Sequence, residues 1–352
     1  MKLLVIGGTG FIGTPVVRQL VAVGHDVAVF HRGNTEADLS PDVRHIFGNR
    51  QQLSHFTDEF KQFAPQVVLD MIPYVEQDAI SVMQTFRGIA ERIVAVSSQD
   101  VYRSYGILWR REDTTPNTTP IDEDAPLRSV LYPYRPLAKG TNDKKYNYDK
   151  IPVERVVMSD TNLRGTVLRL PAVYGIGDKQ HRLFECLKRM DDKRPVILLE
   201  KDEAQWRWTH GYIENVVDAI VLATTDERAA DRIYNVGEKD AMTRTEWVKS
   251  IGNAAGWNGE ILAVPKDELP EHLKSPTGYE HHLEVDTSRI RNELGYKERV
   301  SRNEALSKTV TWERANPPTE IDPKQFDYVA EDAVIEKLKN NHVNVVLATD
   351  AG

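Results

Sequence analysis

The sequence is poor in cysteine: its 352 residues hold one, Cys186, which excludes an intrachain disulfide and a cysteine metal cluster. No run of about 18 apolar residues occurs, so no helical membrane span is expected. Positive charge is in deficit. The 45 Lys and Arg against 53 Asp and Glu leave a net charge of -8, which argues against a nucleic-acid surface. There is no internal repeat and no low-complexity tract. An apolar strand pattern begins at the second residue and leaves no room for a signal peptide, so the expected location is cytoplasmic. Cys186 lies in Leu183-Phe-Glu-Cys-Leu187, which reads as a helix, and is expected in the core. The chain is long enough for a large core in two lobes.

What is present is a glycine pattern directly after a strand. Leu3-Leu4-Val5-Ile6 leads into Gly7-Gly8-Thr9-Gly10-Phe11-Ile12-Gly13. Gly7 permits a tight turn, Gly10 lets backbone approach a pyrophosphate, and Gly13 lets the next helix pack on the strand. That helix carries Ile12, Val16, Val17, Leu20 and Val21 on one face, with Pro15 in its first turn. Its N-terminus favours phosphate. The segment Asp26-Val-Ala-Val-Phe30 reads as the next strand and completes a βαβ opening for a dinucleotide.

Strands alternate with helices through the first half: Val43–Phe47 reads as a short strand, Val67–Met71 and Thr166–Leu170 as strands, and Ile93–Ser97 as a fully apolar one. Continuous apolar strands predict an α/β fold, a doubly wound parallel sheet covered on both faces, with its ligand crevice at the strands' C-terminal ends. The expected division is a Rossmann domain over residues 1–175, with 207–236 returning to it. A smaller α/β substrate lobe is expected over 176–206 and 237–316, and a charged tail over 317–352. The stretch Arg103 to Lys145, rich in Pro, Thr, Asp, Tyr and Arg, has no long periodicity and reads as a functional loop or lid.

Two segments carry chemistry. Val96-Ser97-Ser98-Gln99-Asp100-Val101-Tyr102 ends an apolar strand at the ligand edge. Tyr146 and Lys150 are four apart; in a helix they share a face, and the lysine cation favours the phenolate. Such a tyrosine can act as general acid/base on a hydroxyl or carbonyl.

With these motifs the chain resembles the extended short-chain dehydrogenase/reductases, in an atypical branch of the NAD-dependent epimerase/dehydratase family. The glycine loop, the Ser98 segment, the Tyr146/Lys150 pair and Leu168-Arg-Leu-Pro-Ala-Val-Tyr-Gly175 follow in the family's order. So do Tyr212-Ile-Glu-Asn-Val216, Tyr234-Asn-Val-Gly237 and Asp286-Thr-Ser-Arg289. The resemblance implies Tyr146 as acid/base, Lys150 as its tuner and ribose ligand, Ser98 as holder of the substrate oxygen, and Pro171 beside the nicotinamide. It implies hydride transfer at a sugar or nucleotide-sugar hydroxyl or carbonyl, as an oxidoreductase or epimerase. A homodimer is a further expectation. The different-class alternative is a non-catalytic NADP-sensing or RNA-binding protein on the same fold.

Some positions depart from the family pattern. Tyr146 follows Ser98 by 48 residues, about twice the usual interval, and Pro152 sets the Tyr146/Lys150 pair at a helix start. The pair after the serine is Gln99-Asp100 rather than two acids, which weighs against a dehydratase. The second strand ends in His31-Arg32 where an NAD site carries an acid, so the cofactor expectation is NAD(P), with NADP favoured over NAD. Asn49 and Arg50 occupy the family's adenine-contacting position. Arg103, Tyr134, Arg135, Arg207 and His210 are candidate substrate ligands, since arginine forks suit phosphates and aromatic faces suit rings. His281-His282 lacks metal-ligand spacing, and no metal is expected.

Overall fold

Apolar residues fill both sides of each central strand, and this dictates the architecture. In the computed structural model, which describes residues 1–35 and 37–349, strands and helices alternate through the first half. In chain order they are β1 (Lys2–Ile6), α1 (Gly13–Ala22), β2 (Asp26–His31), β3 (Arg44–Phe47), α2 (Thr57–Phe63) and β4 (Val67–Asp70). Then come α3 (Glu76–Phe86), β5 (Arg92–Ser98), α4 (Arg103–Leu108), α5 (Lys150–Val157), β6 (Arg164–Leu170) and β7 (Ala172–Tyr174).

Six of these strands and a later one, β11 (Arg232–Asn235), form one parallel sheet in the order β11-β6-β5-β4-β1-β2-β3. The order reverses between β1 and β4, so the crevice of a doubly wound sheet opens above them. Side chains alternate across β1. Leu3 and Val5 pack with Val16, Val17 and Leu20 of α1 on one face. Leu4 and Ile6 pack with Phe30, Phe60 and Phe86 on the other. Ile6 is paired with both Phe30 and Asp70, which brings the glycine turn, the end of β2 and the end of β4 to one edge.

The remaining elements build a lobe over that edge: α6 (Phe184–Asp191), β8 (Val196–Glu200), α7 (Lys201–Gln205), β9 (Arg207–Trp208), β10 (His210–Tyr212) and α8 (Ile213–Thr225), then β12 (Met242–Thr243), α9 (Arg244–Ala255) and β13 (Glu260–Val264). Helix α8 is the exception and covers the main sheet. Three small pairings, β10 with β7, β12 with β9 and β13 with β8, knit the lobe. Thr243 and Glu246 form a capping box on α9, and Gly256 at φ +73° ends it. Helices α10 (Ser288–Leu294) and α11 (Arg302–Ala315) follow.

The segment 317–352 is more than a charged tail. It forms α12 (Tyr328–Thr349), and Glu331, fully buried, accepts from Arg189 Nη2 at 2.8 Å and lies 3.1 Å from His272 Nε2. Residues 350–352 lie outside the described residues. The stretch 103–145 is mostly irregular, with α4 at its start and a single turn at Arg135–Leu137. Cys186 is buried in α6, where burial pushes its thiol pKa up. No helix among the described residues is long and apolar enough to cross a membrane.

Candidate active site

The glycine turn has the shape a pyrophosphate needs. Gly7 has φ +82°, and its N–H donates to the Phe30 carbonyl at 3.1 Å, which closes the turn against β2. A Cβ on Gly13 would stand 2.6 Å from the Gly7 carbonyl oxygen, so only glycine lets α1 approach the turn. A Cβ on Gly10 would meet nothing within 4 Å. Helix α1 begins beside this open space with no side-chain cap and no acidic residue in its first turn. Thr9, Phe11 and Ile12 are half-buried around it. The donor set therefore fits a dinucleotide phosphate.

At the end of β2, His31 Nε2 lies 2.8 Å from His45 Nδ1 and its ring packs on Phe47. Burial first, and His45 second, lower the His31 pKa, so the ring is neutral at pH 7. Arg32 is exposed and has no hydrogen bond or ion pair among the described residues. Asn49 caps the turn that follows it, with Oδ1 accepting from the Gln51 N–H at 3.1 Å. Arg50 is drawn inward. It forms a forked pair with Asp70 (3.0 and 2.9 Å), a second pair with Asp78 (2.9 Å), and donates to the Ile72 carbonyl. The structure thus assigns Arg50 to joining β4 and α3, which corrects its reading as an adenine contact.

Lys150 is buried at the meeting of β4 and β5. Its Nζ donates to the Pro73 carbonyl at 2.8 Å and the Val96 carbonyl at 2.9 Å, and lies over the rings of Tyr74 and Tyr148. Burial lowers its pKa to about 8, against the opposing pull of Asp100 and Asp70.

Tyr146 does not join it. Asp149 accepts from the Ile151 N–H and starts α5 at Lys150, so Tyr146 precedes the helix and shares no helical face with the lysine. Arg135 instead stacks on Tyr146 (4.6 Å) and Tyr132 (4.0 Å), outside the cavity described below. This corrects the expected Tyr146/Lys150 pairing. The tyrosine that reaches the edge is Tyr148, which is half-buried and lies close to Ser98 and Asp100. Burial and Asp100 raise its pKa well above the ordinary phenol value, so the group is held protonated. The signal for it was local: Asp149 is a good N-cap and Pro152 suits a first turn, which places the helix start two residues after Tyr148.

Ser98 ends β5, and its Oγ accepts from the Asp100 N–H at 3.2 Å. Its neighbour Ser97 points elsewhere and donates to Glu154. Asp100 accepts from the Tyr134 hydroxyl at 3.1 Å, and Tyr134 lies 2.9 Å from the Tyr105 hydroxyl. Burial raises the Asp100 pKa.

Ser98, Asp100, Tyr134, Tyr148 and Pro171 line a cavity of about 560 Å³ between the sheet edge and the lobe. His210 lines it too, stacked 4.0 Å from Trp247 with its Nδ1–H donating to the Trp208 carbonyl. Burial lowers its pKa to about 3, so it is a neutral ring. Arg207 lies outside and donates to the Ala241 carbonyl. Arg103, half-buried at the start of α4, is not among the lining residues either. Of the five candidate substrate ligands, Tyr134 and His210 reach the cavity and Arg103, Arg135 and Arg207 do not, because backbone carbonyls and loop aromatics hold the latter two. Sequence reasoning passed over Tyr148, Tyr105 and the aromatic wall of Trp206, Trp208, Trp247 and Tyr279.

The model of the NAD dependent epimerase/dehydratase family matches residues 3–237. Among curated proteins, 2'-dehydrokanamycin reductase of Streptomyces kanamyceticus is 27% identical over 281 residues, covering 78% of this chain and 72% of that one. UDP-glucose 4-epimerase of Lactobacillus helveticus is 23% identical, covering 90% and 98%. Among solved structures, WbmG of Bordetella bronchiseptica in complex with NAD and UDP superposes with a TM-score of 0.66 at 17% identity, covering 92% of this chain and 97% of that one, which shows the shared fold. The family model spans the glycine turn, the serine strand and the strand that returns to the sheet, and the chain belongs to the NAD dependent epimerase/dehydratase family.

Proposed function

We propose that the protein is an NAD(P)-dependent reductase of a sugar carbonyl, with NADP as the preferred cofactor. The observation that carries this reading is the convergence at the end of β5 of Ser98 and Tyr148, which line the cavity, and Lys150, whose Nζ donates to the Val96 carbonyl and lies over the Tyr148 ring. The dinucleotide, when bound, supplies the hydride. Its phosphates would lie on the turn from Gly7 to Gly13, its adenosine near Arg32 and Asn49, and its nicotinamide ribose near Lys150 and Pro171.

This chain's residues would then do the following. Ser98 Oγ holds the carbonyl oxygen. Tyr148, kept protonated, donates its proton to that oxygen as it becomes a hydroxyl, and the Lys150 cation stabilises the phenolate left behind. A phenol held protonated suits reduction better than oxidation, which favours the reductase over the epimerase reading. Gln99 donates to the Val236 carbonyl, so the pair after Ser98 offers a single acid, which weighs against a dehydratase. NADP is favoured because His31 is neutral and Arg32 is the cation without a partner at the end of β2. The named substrates of the relatives, 2'-dehydrokanamycin and UDP-glucose, support a sugar-like ligand.

The test is a thermal-shift titration of the purified protein with NADP and NAD. Saturation at about 100 times Kd adds about 2.7 kcal/mol of stability. Stabilisation by NADP at lower concentration than by NAD is expected, with the difference reduced in Arg32→Ala. Absence of a shift with either dinucleotide would overturn the proposal.

A further inference from the structure

We infer that the cavity takes a sugar bearing protonated amines, rather than a sugar carried on an anionic diphosphate. The inference rests on the reading of this cavity as the substrate site. A diphosphate needs cationic donors free to fork around its oxygens. Two arginines line the cavity, and both are matched by carboxylates. Arg182 Nη1 contacts both oxygens of Asp178, at 3.1 and 3.2 Å. Arg244 donates from Nε to Glu203 at 3.2 Å and is also within the field of Glu185. His210, the third candidate, is stacked flat on Trp247 and donates its Nδ1–H to backbone.

The acceptors are in excess. Glu185 and Glu203 line the cavity; Arg244 pairs with Glu203, and Glu185 has only Arg189, outside the lining, at 3.8 Å. Asp100 lines it as well, and its buried Oδ1 has no hydrogen-bond partner. An unpartnered buried carboxylate oxygen is costly unless a donor arrives to meet it, and an ammonium group is such a donor. The lining beside Glu203 is aromatic. Trp206 stands 5.3 Å from Trp208 and 5.3 Å from Tyr279. Trp206 Nε1 is already committed to the His281 carbonyl, so the indole offers its face. Aromatic faces accept both the C–H face of a sugar ring and an ammonium cation.

The experiment titrates the full chain, loaded with NADP, with neamine (a pseudodisaccharide bearing four amines) and separately with UDP-glucose, following tryptophan fluorescence and heat. Neamine is expected to bind at least roughly tenfold more tightly than UDP-glucose, about 1.4 kcal/mol. Its affinity is expected to fall several-fold between 50 and 300 mM salt and again in Glu185→Gln, whose half-exposed side chain makes the fold safe. Glu203→Gln serves as the second variant. Equal or tighter binding of UDP-glucose, or no binding of neamine, would overturn the inference. Thermal shift by NADP on the same samples keeps this outcome separate, since the loss of that shift sinks the dinucleotide reading instead.

Discussion

Lys150 is a buried cation with two carbonyl partners, and its titration follows from that burial. Its folded pKa of about 8 lies below the ordinary lysine value of roughly 10.4. Between those values the unfolded chain binds the extra proton, so stability rises with pH through the window from about 8 to about 10.4. Under the proposed function the effect on turnover would run the other way, because a neutral amine does not support a phenolate. The pH profile of kcat is expected to fall along an alkaline limb near 8. In Lys150→Met the pH-dependent gain in melting temperature above pH 8 should vanish. Tyr148 and Tyr146 are separable by the same assay. Tyr148→Phe should lower kcat by roughly 10²–10⁴-fold, the span of general acid catalysis, with cofactor affinity preserved. Tyr146→Phe, remote from the cavity, should change kcat less than about twofold on the same argument. Equal losses in both variants would remove Tyr148 from its proposed role.

Among the elements, the glycine turn and the start of α5 decide whether a site exists. Gly13→Ala places a Cβ against the Gly7 carbonyl oxygen and is expected to lower the melting temperature and abolish cofactor binding. Gly10→Ala meets no protein atom, so its melting temperature should match wild type while cofactor affinity drops roughly tenfold or more, about 1.4 kcal/mol. The turn was legible in the sequence because strand, glycines and helix all follow from local patterning. The start of α5 was not. Spacing alone joined Tyr146 to Lys150, whereas the helix start depends on Asp149, whose carboxylate also accepts from Arg128 and the Tyr132 N–H, contacts from a loop with no period to read. Arg128 and Asp149 are both 1% exposed. Arg128→Ala strands a buried carboxylate and is expected to cost about 3–5 kcal/mol in urea unfolding.

For the whole molecule, apolar strands made the central sheet readable, and β11 takes its place beside β6. The closing segment was harder to read, because α12 docks through charge as much as through oil. Ile335 packs with Val196, Leu198 and Val264, but Glu331 is what meets Arg189 and His272. A carboxylate on a helix reads as solvated until its buried partner is known. Glu331→Ala is expected to lower unfolding stability by about 3–5 kcal/mol while leaving NADP binding at the far sheet edge unchanged. Denaturant titration with and without NADP checks both halves of that statement.

The Arg128–Asp149 ion pair has a consequence for turnover. It fastens the loop that carries Tyr134 to the first turn of the helix that carries Lys150. Roof and reactive floor therefore belong to one mechanical unit. Under the proposed function, a movement of this loop on product release would pull on Asp149, and through it on the neighbouring Lys150 and Tyr148. Release and disarming would then be a single event, with the proton donor poised only while the loop is in place.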